Sequence, residues 1–229
     1  MSSLVLKFRT GRFVWTVLVS LYFGVFFTNF FADAVPERMV VPLIFAYLFV
    51  LWLAVEYYFG SPFFQSGVVE PSPLWRGVFA FFVYPYIGYV VADFIWWRQT
   101  QFPVPHYVFG ILGLLIFGFG VYIRLATLFG LIKIAQIKPN TGEVVFSPRR
   151  FLELKWQKIC RHPRYLGTLV QLVGIALIFC SWGGLLLVGV LGLPLILIQV
   201  RYEEKALAPI LKSEFSQFQQ VAMLFPRFR

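Results

Sequence analysis

The sequence predicts an all-α integral membrane protein, a polytopic helical bundle with about six crossings that include a C-terminal helical hairpin. Of its 229 residues, 59% are hydrophobic and only 13% are charged, and the mean hydropathy is +0.77. A soluble domain of this length has too little interior to hide so much apolar surface. The charged residues also concentrate between long apolar segments, a pattern typical of membrane spans joined by polar loops.

Four segments are each long and apolar enough to cross a bilayer, which needs roughly 20 mostly apolar residues. The predicted spans are Phe13–Phe31, Val40–Phe59, Leu74–Trp97 and Tyr107–Ala135. Ala32-Asp33-Ala34, directly after the first segment, has the small residues of a signal-peptidase site. Because the apolar segment before it is longer than a usual signal core, we interpret that segment as an anchor.

A further apolar stretch, from Leu166 to Val200, contains no Asp, Glu, Lys, Arg or His. It is too long for one ordinary span and slightly short for two. Gly183-Gly184 lies near its middle, and paired glycines both weaken a helix and permit a tight reversal. We therefore predict a hairpin whose two legs meet at Gly183-Gly184. A single tilted helix is the alternative.

Basic residues determine the predicted orientation. Lys and Arg are frequent before the first span and between residues 133 and 164, and such segments stay on the cytoplasmic side of a membrane. An even number of crossings then places both termini in the cytoplasm. The net charge of +10 fits loops beside anionic lipid. We therefore expect the lipid bilayer as a partner and no nucleic acid.

Ionisable side chains within the apolar segments are the first candidates for function, because each is costly in lipid unless it is paired or faces water. Arg124 lies well inside the fourth span, and its alternatives are a substrate-facing role or a structural ion pair with Glu56 or Asp93. His162 precedes Pro163, a residue that fits the first turn of a helix. With two histidines and two cysteines in the chain, we expect no metal site.

A polar motif stands where the basic loop meets the last apolar stretch. It is Arg161-His162-Pro163-Arg164-Tyr165-Leu166-Gly167, and it is followed after the stretch by Glu203-Glu204-Lys205-Ala206-Leu207 and later by Phe225-Pro226-Arg227-Phe228. This combination resembles the isoprenylcysteine carboxyl methyltransferase family. That family groups with phospholipid methyltransferases as membrane-embedded enzymes that use S-adenosylmethionine.

The resemblance implies a division of the chain and a set of site residues. Residues 1–105 would form N-terminal transmembrane spans, and residues 106–229 a methyltransferase-like membrane core with a cytoplasmic cofactor site. The acceptor would be a lipophilic small molecule that enters sideways from the membrane. Arg124 and Arg201 would serve catalysis. The residues implied in binding S-adenosylmethionine are His162, Pro163, Arg164, Tyr165, Gly167, Glu203 and Glu204.

The chain departs from the family pattern at several positions. Gln157 stands where the family commonly has a tyrosine, and Gln199 stands where it has a substrate-binding arginine, although Arg201 lies nearby. Two aromatic positions of the tail are Phe215 and Phe218 instead of tyrosines. Two alternatives therefore stand beside methyl transfer. One is a membrane reductase of the sterol-reductase type that binds NADPH, and the other is a non-catalytic lipid-binding relative.

Overall fold

A computed structural model describes residues 36–65, 73–103, 106–134, 136–137, 144–145, 153–211 and 215–220. The described helices are α1 (Pro36–Gln65), α2 (Pro73–Ala92), α3 (His106–Ile134), α4 (Lys155–Ile159), α5 (Pro163–Ile178), α6 (Trp182–Leu187), α7 (Leu193–Leu211) and α8 (Phe215–Gln220). A π-helical turn, Asp93–Trp97, follows α2, and another, Val188–Gly192, joins α6 to α7. Two-residue strands, β1 (Gln136–Ile137) and β2 (Val144–Val145), pair antiparallel after α3.

The prediction of an all-helical protein with apolar helices long enough to cross a membrane is confirmed. Three described segments meet that criterion by length and composition: Arg38–Glu56, His106–Ile134 and Trp182–Pro209. Phe81–Trp97 and Pro163–Ile178 are shorter apolar helices. The predicted first span, Ala32-Asp33-Ala34 and the closing Phe225–Phe228 motif lie outside the described residues.

Helices α3 and α5 form the most extensive helix–helix contact among the described elements. Two pairs of glycines bring their backbones together. A Cβ atom on Gly113 would lie 2.7 Å from the carbonyl oxygen of Gly174, and one on Gly120 would lie 2.7 Å from that of Gly167. In each helix the two glycines are seven residues apart, about two turns. They therefore lie on the face of the helix that contacts its antiparallel partner. Small residues of this kind allow apolar helices to approach closely where lipid gives no hydrophobic driving force.

The turn after α5 differs in position from the prediction. The chain leaves α5 at Phe179, and Cys180 adopts a left-handed conformation with φ 52°. Helix then resumes at Trp182, so Gly183 and Gly184 lie inside α6. They serve packing instead of reversal, because a Cβ atom on Gly183 would lie 2.4 Å from the hydroxyl oxygen of Tyr89.

Backbone hydrogen bonds to the loop after α2 fix this turn. Phe102 N–H donates to the Cys180 carbonyl at 2.9 Å, and Trp182 N–H donates to that of Thr100 at 2.8 Å. Asp93, which is 1% exposed, holds the same loop. Its carboxylate accepts hydrogen bonds from the Thr100 hydroxyl at 2.6 Å and from two backbone N–H groups. The buried Asp93 carboxylate is thus satisfied by internal hydrogen bonds, as burial requires.

Aromatic side chains fill the core between α1, α3 and the end of α5. The Phe45 ring meets the Phe117 and Phe179 rings edge to face, with centroids 5.1 and 5.7 Å apart, a favourable arrangement of ring quadrupoles. Tyr86 of α2 donates its hydroxyl to the Leu172 carbonyl of α5 at 2.6 Å. A group of charged side chains lies toward the opposite end of the bundle, where α1, α3 and α7 end and α5 begins.

Candidate functional site

His162 stands at the amino end of α5, and Pro163 begins that helix. The His162 carbonyl accepts the first-turn N–H groups of Tyr165 and Leu166, each at 3.1 Å. Its side chain is only 2% exposed. Nε2 lies 3.1 Å from Oε1 of Glu204, and Nδ1 lies 3.7 Å from Oε2 of Glu203. The two polar motifs predicted at the ends of the last apolar stretch therefore meet around one buried imidazole.

The surroundings of His162 favour its protonated form. Burial by itself lowers the pKa of a histidine, because the cation loses hydration. Hydrogen bonds and negative charge from Glu203 and Glu204 outweigh that effect and raise the pKa of His162 above its ordinary value. The two carboxylates therefore favour the cationic form of an imidazole held between them at the boundary of the apolar bundle.

Arg161 and Phe218 close the outer side of His162. The Arg161 guanidinium lies 2.9 Å from Oε1 of Glu204 and sits over the Phe218 ring, 5.9 Å from its centroid. The same ring meets the His162 ring edge to face at 5.7 Å. Phe218 is 1% exposed and packs with Leu207 in a small apolar cluster. Helix α8 thus covers the imidazole with an aromatic side chain.

A second charged group lies deeper, where α1 and α3 meet α5. The Arg124 guanidinium forms a two-point contact with the Glu56 carboxylate, with Nε 2.9 Å from Oε2 and Nη2 bonded to Oε1. Arg124 Nη1 donates to the Thr168 hydroxyl. Arg164 Nη2 stands 3.7 Å from the same Glu56 oxygen. Of the two partners considered for Arg124, Glu56 is the one it binds, and Asp93 lies at the other end of the bundle.

The two charged groups are continuous. Glu203 interacts with the Tyr165 hydroxyl and with the charge of Arg164, which links the imidazole to the deeper arginines. We call the connected side chains the ionic network. Its members are Glu56, Arg124, Arg161, His162, Arg164, Glu203 and Glu204.

Most of the residues implied by the sequence resemblance meet in or beside this network, and one does not. Gly167 packs against the Arg124 side chain, since a Cβ atom there would lie 2.6 Å from Arg124 Cγ. Arg201 is exposed and lies two residues from buried Glu203, so it faces away from the network. The contact of Phe218 with His162 could not be predicted from sequence, because it joins residues 56 positions apart.

Two buried polar atoms beside the network lack a hydrogen-bond partner among the described residues. They are Oε1 of Gln157 and Nε of Arg161. An unpaired acceptor and an unpaired donor in a buried site usually indicate a missing polar ligand or water. The amino-acid head of S-adenosylmethionine carries an ammonium donor and a carboxylate acceptor. Gln157 Oε1 and Arg161 Nε could therefore pair with groups of this kind.

No family model, curated protein sequence or solved structure matches the chain.

Proposed function

We propose that this protein is a membrane-embedded methyltransferase that uses S-adenosylmethionine and acts on a lipophilic or membrane-associated small molecule. The observation that carries the proposal is the meeting of His162 with Glu203 and Glu204. These residues come from the two ends of a long apolar stretch and converge at one end of the bundle, with His162 and Glu203 buried and Glu204 partly buried. The unpaired atoms of Gln157 and Arg161 add to this support.

In this proposal the chain's own residues bind and orient the two reactants. Glu203 and the Gln157 amide oxygen would take the ammonium of S-adenosylmethionine, and Arg161 its carboxylate. Tyr165 would contact the adenine or ribose. The bound cofactor supplies an electrophilic methyl group, and Arg124 would orient an acceptor toward it. The acceptor would carry a carboxylate, amine or thiol, and for a carboxylate or thiolate, alignment and exclusion of water lower the barrier with little acid or base chemistry.

We also propose a topology of six crossings with the network on the cytoplasmic side. The support is the distance between the polar groups at the two ends of α5. Sixteen residues rise about 24 Å, close to the thickness of a bilayer core, about 27–30 Å. The turn at Phe179–Ser181 would then return the chain across the membrane. The basic loop before His162 would lie in the cytoplasm, as its charge predicts.

One observation favours a second candidate, a non-catalytic lipid-binding protein. Both carboxylates beside His162 already have cationic neighbours, and Phe218 covers the imidazole. A cofactor ammonium would have to compete with these contacts. A protein that only binds lipid has no such requirement.

Calorimetric titration of the purified protein in neutral detergent separates these functions. We expect binding of S-adenosylmethionine and S-adenosylhomocysteine and none of NADPH. Glu203→Gln should weaken binding by about 1–3 kcal/mol, the usual cost of losing a charge-assisted partner. Glu204→Gln is the matched control, because that carboxylate is bound by Arg161 and His162 and should affect stability more than cofactor affinity. A folded protein that binds neither sulfur compound would refute the enzyme proposal.

A further inference from the structure

Exposed aromatic side chains gather at the end of the bundle opposite the ionic network. They come from the turn after α2 and from the starts of α3 and α6. These elements meet, because Trp182 N–H donates to the Thr100 carbonyl at 2.8 Å and the Cys180 thiol lies 3.4 Å from the His106 carbonyl. We call the exposed side chains the aromatic belt: Trp96, Trp97, Tyr107 and Trp182, each between 46% and 64% exposed.

Four apolar segments start or end at the level of the belt: Arg38–Glu56, Phe81–Trp97, His106–Ile134 and Trp182–Pro209. Arg38 belongs to this level because a Cβ atom on Gly110 would lie 2.9 Å from Cγ1 of Val41, so that α1 and α3 start side by side. Exposed Arg38 and Arg98 add positive charge here, and both act electrostatically on His106.

The chemistry of the belt matches the headgroup layer of a phospholipid bilayer. Tryptophan and tyrosine concentrate there, because their rings are apolar while the N–H or O–H group needs a polar partner. Guanidinium groups pair well with phosphate oxygens. Both kinds of side chain occur here beside the ends of apolar segments.

One face of α3 shows where contact with lipid ends on the other side. Its exposed side chains are apolar or aromatic from Tyr107 to Phe129, whose exposure is 38%. The next exposed side chain is that of Lys133, a charge that the hydrocarbon disfavours. Contact with lipid therefore ends before Lys133.

Apolar side chains in the last turn of α3 are packed against other protein side chains. Leu131 and Ile134 contact a small apolar cluster formed by Leu207 and Phe218, which is separate from the main core. Outside lipid, apolar side chains are stabilised by packing together away from water. The cluster therefore indicates that this end of α3 lies outside the hydrocarbon.

The thickness of a bilayer locates the boundary more closely. A hydrocarbon core of about 27–30 Å corresponds to about 18–20 helical residues. Counted from Tyr107 along α3, the core ends at about residues 125–127, within one turn of Arg124. About two turns of α3 then remain outside it.

We propose that the aromatic belt lies in one headgroup layer of a phospholipid bilayer, with Arg38 and Arg98 beside the phosphates, and that the hydrocarbon core ends at about residues 125–127 of α3. The apolar cluster around Phe218 then lies outside the hydrocarbon. His162, whose ring is 5.7 Å from that of Phe218, lies at the opposite headgroup level, within reach of a water-soluble molecule. Neither placement depends on the proposed reaction or on which side is cytoplasmic.

Spin labels along α3 test these depths in vesicles of phosphatidylcholine and phosphatidylglycerol. Cysteines replace exposed residues of α3 one at a time: Tyr107, Leu115, Phe119, Phe129 and Lys133. The native Cys160 and Cys180 are buried, so the added cysteine is the one labelled. Electron paramagnetic resonance then compares collisions with oxygen, which concentrates in hydrocarbon, and with a water-soluble nickel chelate.

The ratio of oxygen to nickel collisions should be highest at Leu115 and Phe119, about 12 and 18 Å along α3 from Tyr107. It should fall toward Tyr107 and Phe129, and nickel should dominate at Lys133. A label at Lys133 or Phe129 as deep as Leu115, or one at Tyr107 as deep as Phe119, would overturn the placement. Spin–spin broadening at Tyr107 that disappears on dilution with unlabelled protein would show that a second copy covers the belt instead of lipid.

Tryptophan fluorescence tests the belt without labels. Lipids brominated close to the headgroup should quench wild type more than lipids brominated near the chain ends. Replacing Trp96, Trp97 and Trp182 together by phenylalanine should remove most of the quenching by the shallow bromine. Trp52→Phe is the matched control, because that indole packs edge to face on Phe117 inside the bundle, with centroids 6.0 Å apart. Equal losses in both proteins, or stronger quenching by the deep bromine, would refute the belt.

Discussion

Replacing Gly113 by alanine should destabilise the protein by forcing α3 and α5 apart. An added Cβ atom would lie 2.5 Å from the backbone nitrogen of Ile178 and 2.7 Å from the Gly174 carbonyl oxygen. Neither atom belongs to a side chain that can rotate away. The two helices therefore have to separate locally by about 1 Å to reach ordinary contact distance.

The size of the effect follows from that separation. A radial gap of 0.5–1 Å already removes a quarter to a half of the dispersion energy between facing atoms, and overpacking a close-fitting interface typically costs about 1–3 kcal/mol. We expect a loss near the upper end, about 2–3 kcal/mol, because both clashing atoms are backbone. For a chain of this size, such a loss lowers the melting temperature by roughly 4–12 °C.

The assay is thermal unfolding of the detergent-solubilised protein. Gly118→Ala is the matched control on the same helix, because a Cβ atom there has nothing within 4 Å. Alanine is also the better helix former at that position. The control should therefore match or exceed wild type. A Gly113→Ala protein as stable as Gly118→Ala would refute the close-contact explanation.

Four further predictions concern the ionic network and topology. Folding raises the pKa of His162, so its contribution to the free energy of unfolding is full below the ordinary pKa of 6.5 and is lost as pH rises through the raised pKa. His162→Gln should remove this pH dependence of the unfolding free energy, measured by chemical denaturation. The same pH dependence in His162→Gln and wild type would contradict this prediction. Phe218→Ala should lower the unfolding free energy by about 3 kcal/mol, as for other buried aromatics, and speed modification of His162 by diethyl pyrocarbonate; unchanged reactivity would exclude α8 as its cover. Arg124→Ala should cost about 3 kcal/mol, the lower end of the range for breaking a buried ion pair, because Glu56 keeps only its more distant contact with the Arg164 cation; a melting temperature equal to wild type would rule out the ion pair. A cysteine placed at Thr141 should react only with membrane-permeant reagents in intact cells, and labelling by an impermeant reagent would reverse the orientation.

The sequence predicted the helices well where hydropathy alone decides them. The predicted spans Val40–Phe59 and Tyr107–Ala135 correspond to α1 and α3. The break in the helix was predicted at Gly183-Gly184, because paired glycines favour reversal when nothing else is known, whereas the structure has it at Cys180. In the folded protein, hydrogen bonds from a loop about 80 residues earlier fix the turn at Cys180. Glycine content cannot reveal such a tertiary contact.

The residues of the candidate site could be predicted from the sequence less completely than the helices. The motif around His162 and the paired glutamates indicated which residues to compare, and these side chains do meet. Glu56 was assigned only as one of two partners for Arg124, because 68 positions separate the two residues and pairing depends on how α1 packs on α3. No local pattern distinguishes Phe218, the cover of His162, from other aromatics of the tail.

The glycine contacts between α3 and α5 have a consequence for access to the imidazole. Sliding either helix by one turn, about 5.4 Å, would bring each glycine opposite a residue with a bulky side chain. This pair therefore acts as a fixed wall with a single register. Of the described helices, α7 and α8 carry side chains that contact the His162 ring, so their displacement would expose it. We expect any conformational change on binding to be concentrated in those elements, while the distance between Gly120 and Gly167 stays constant.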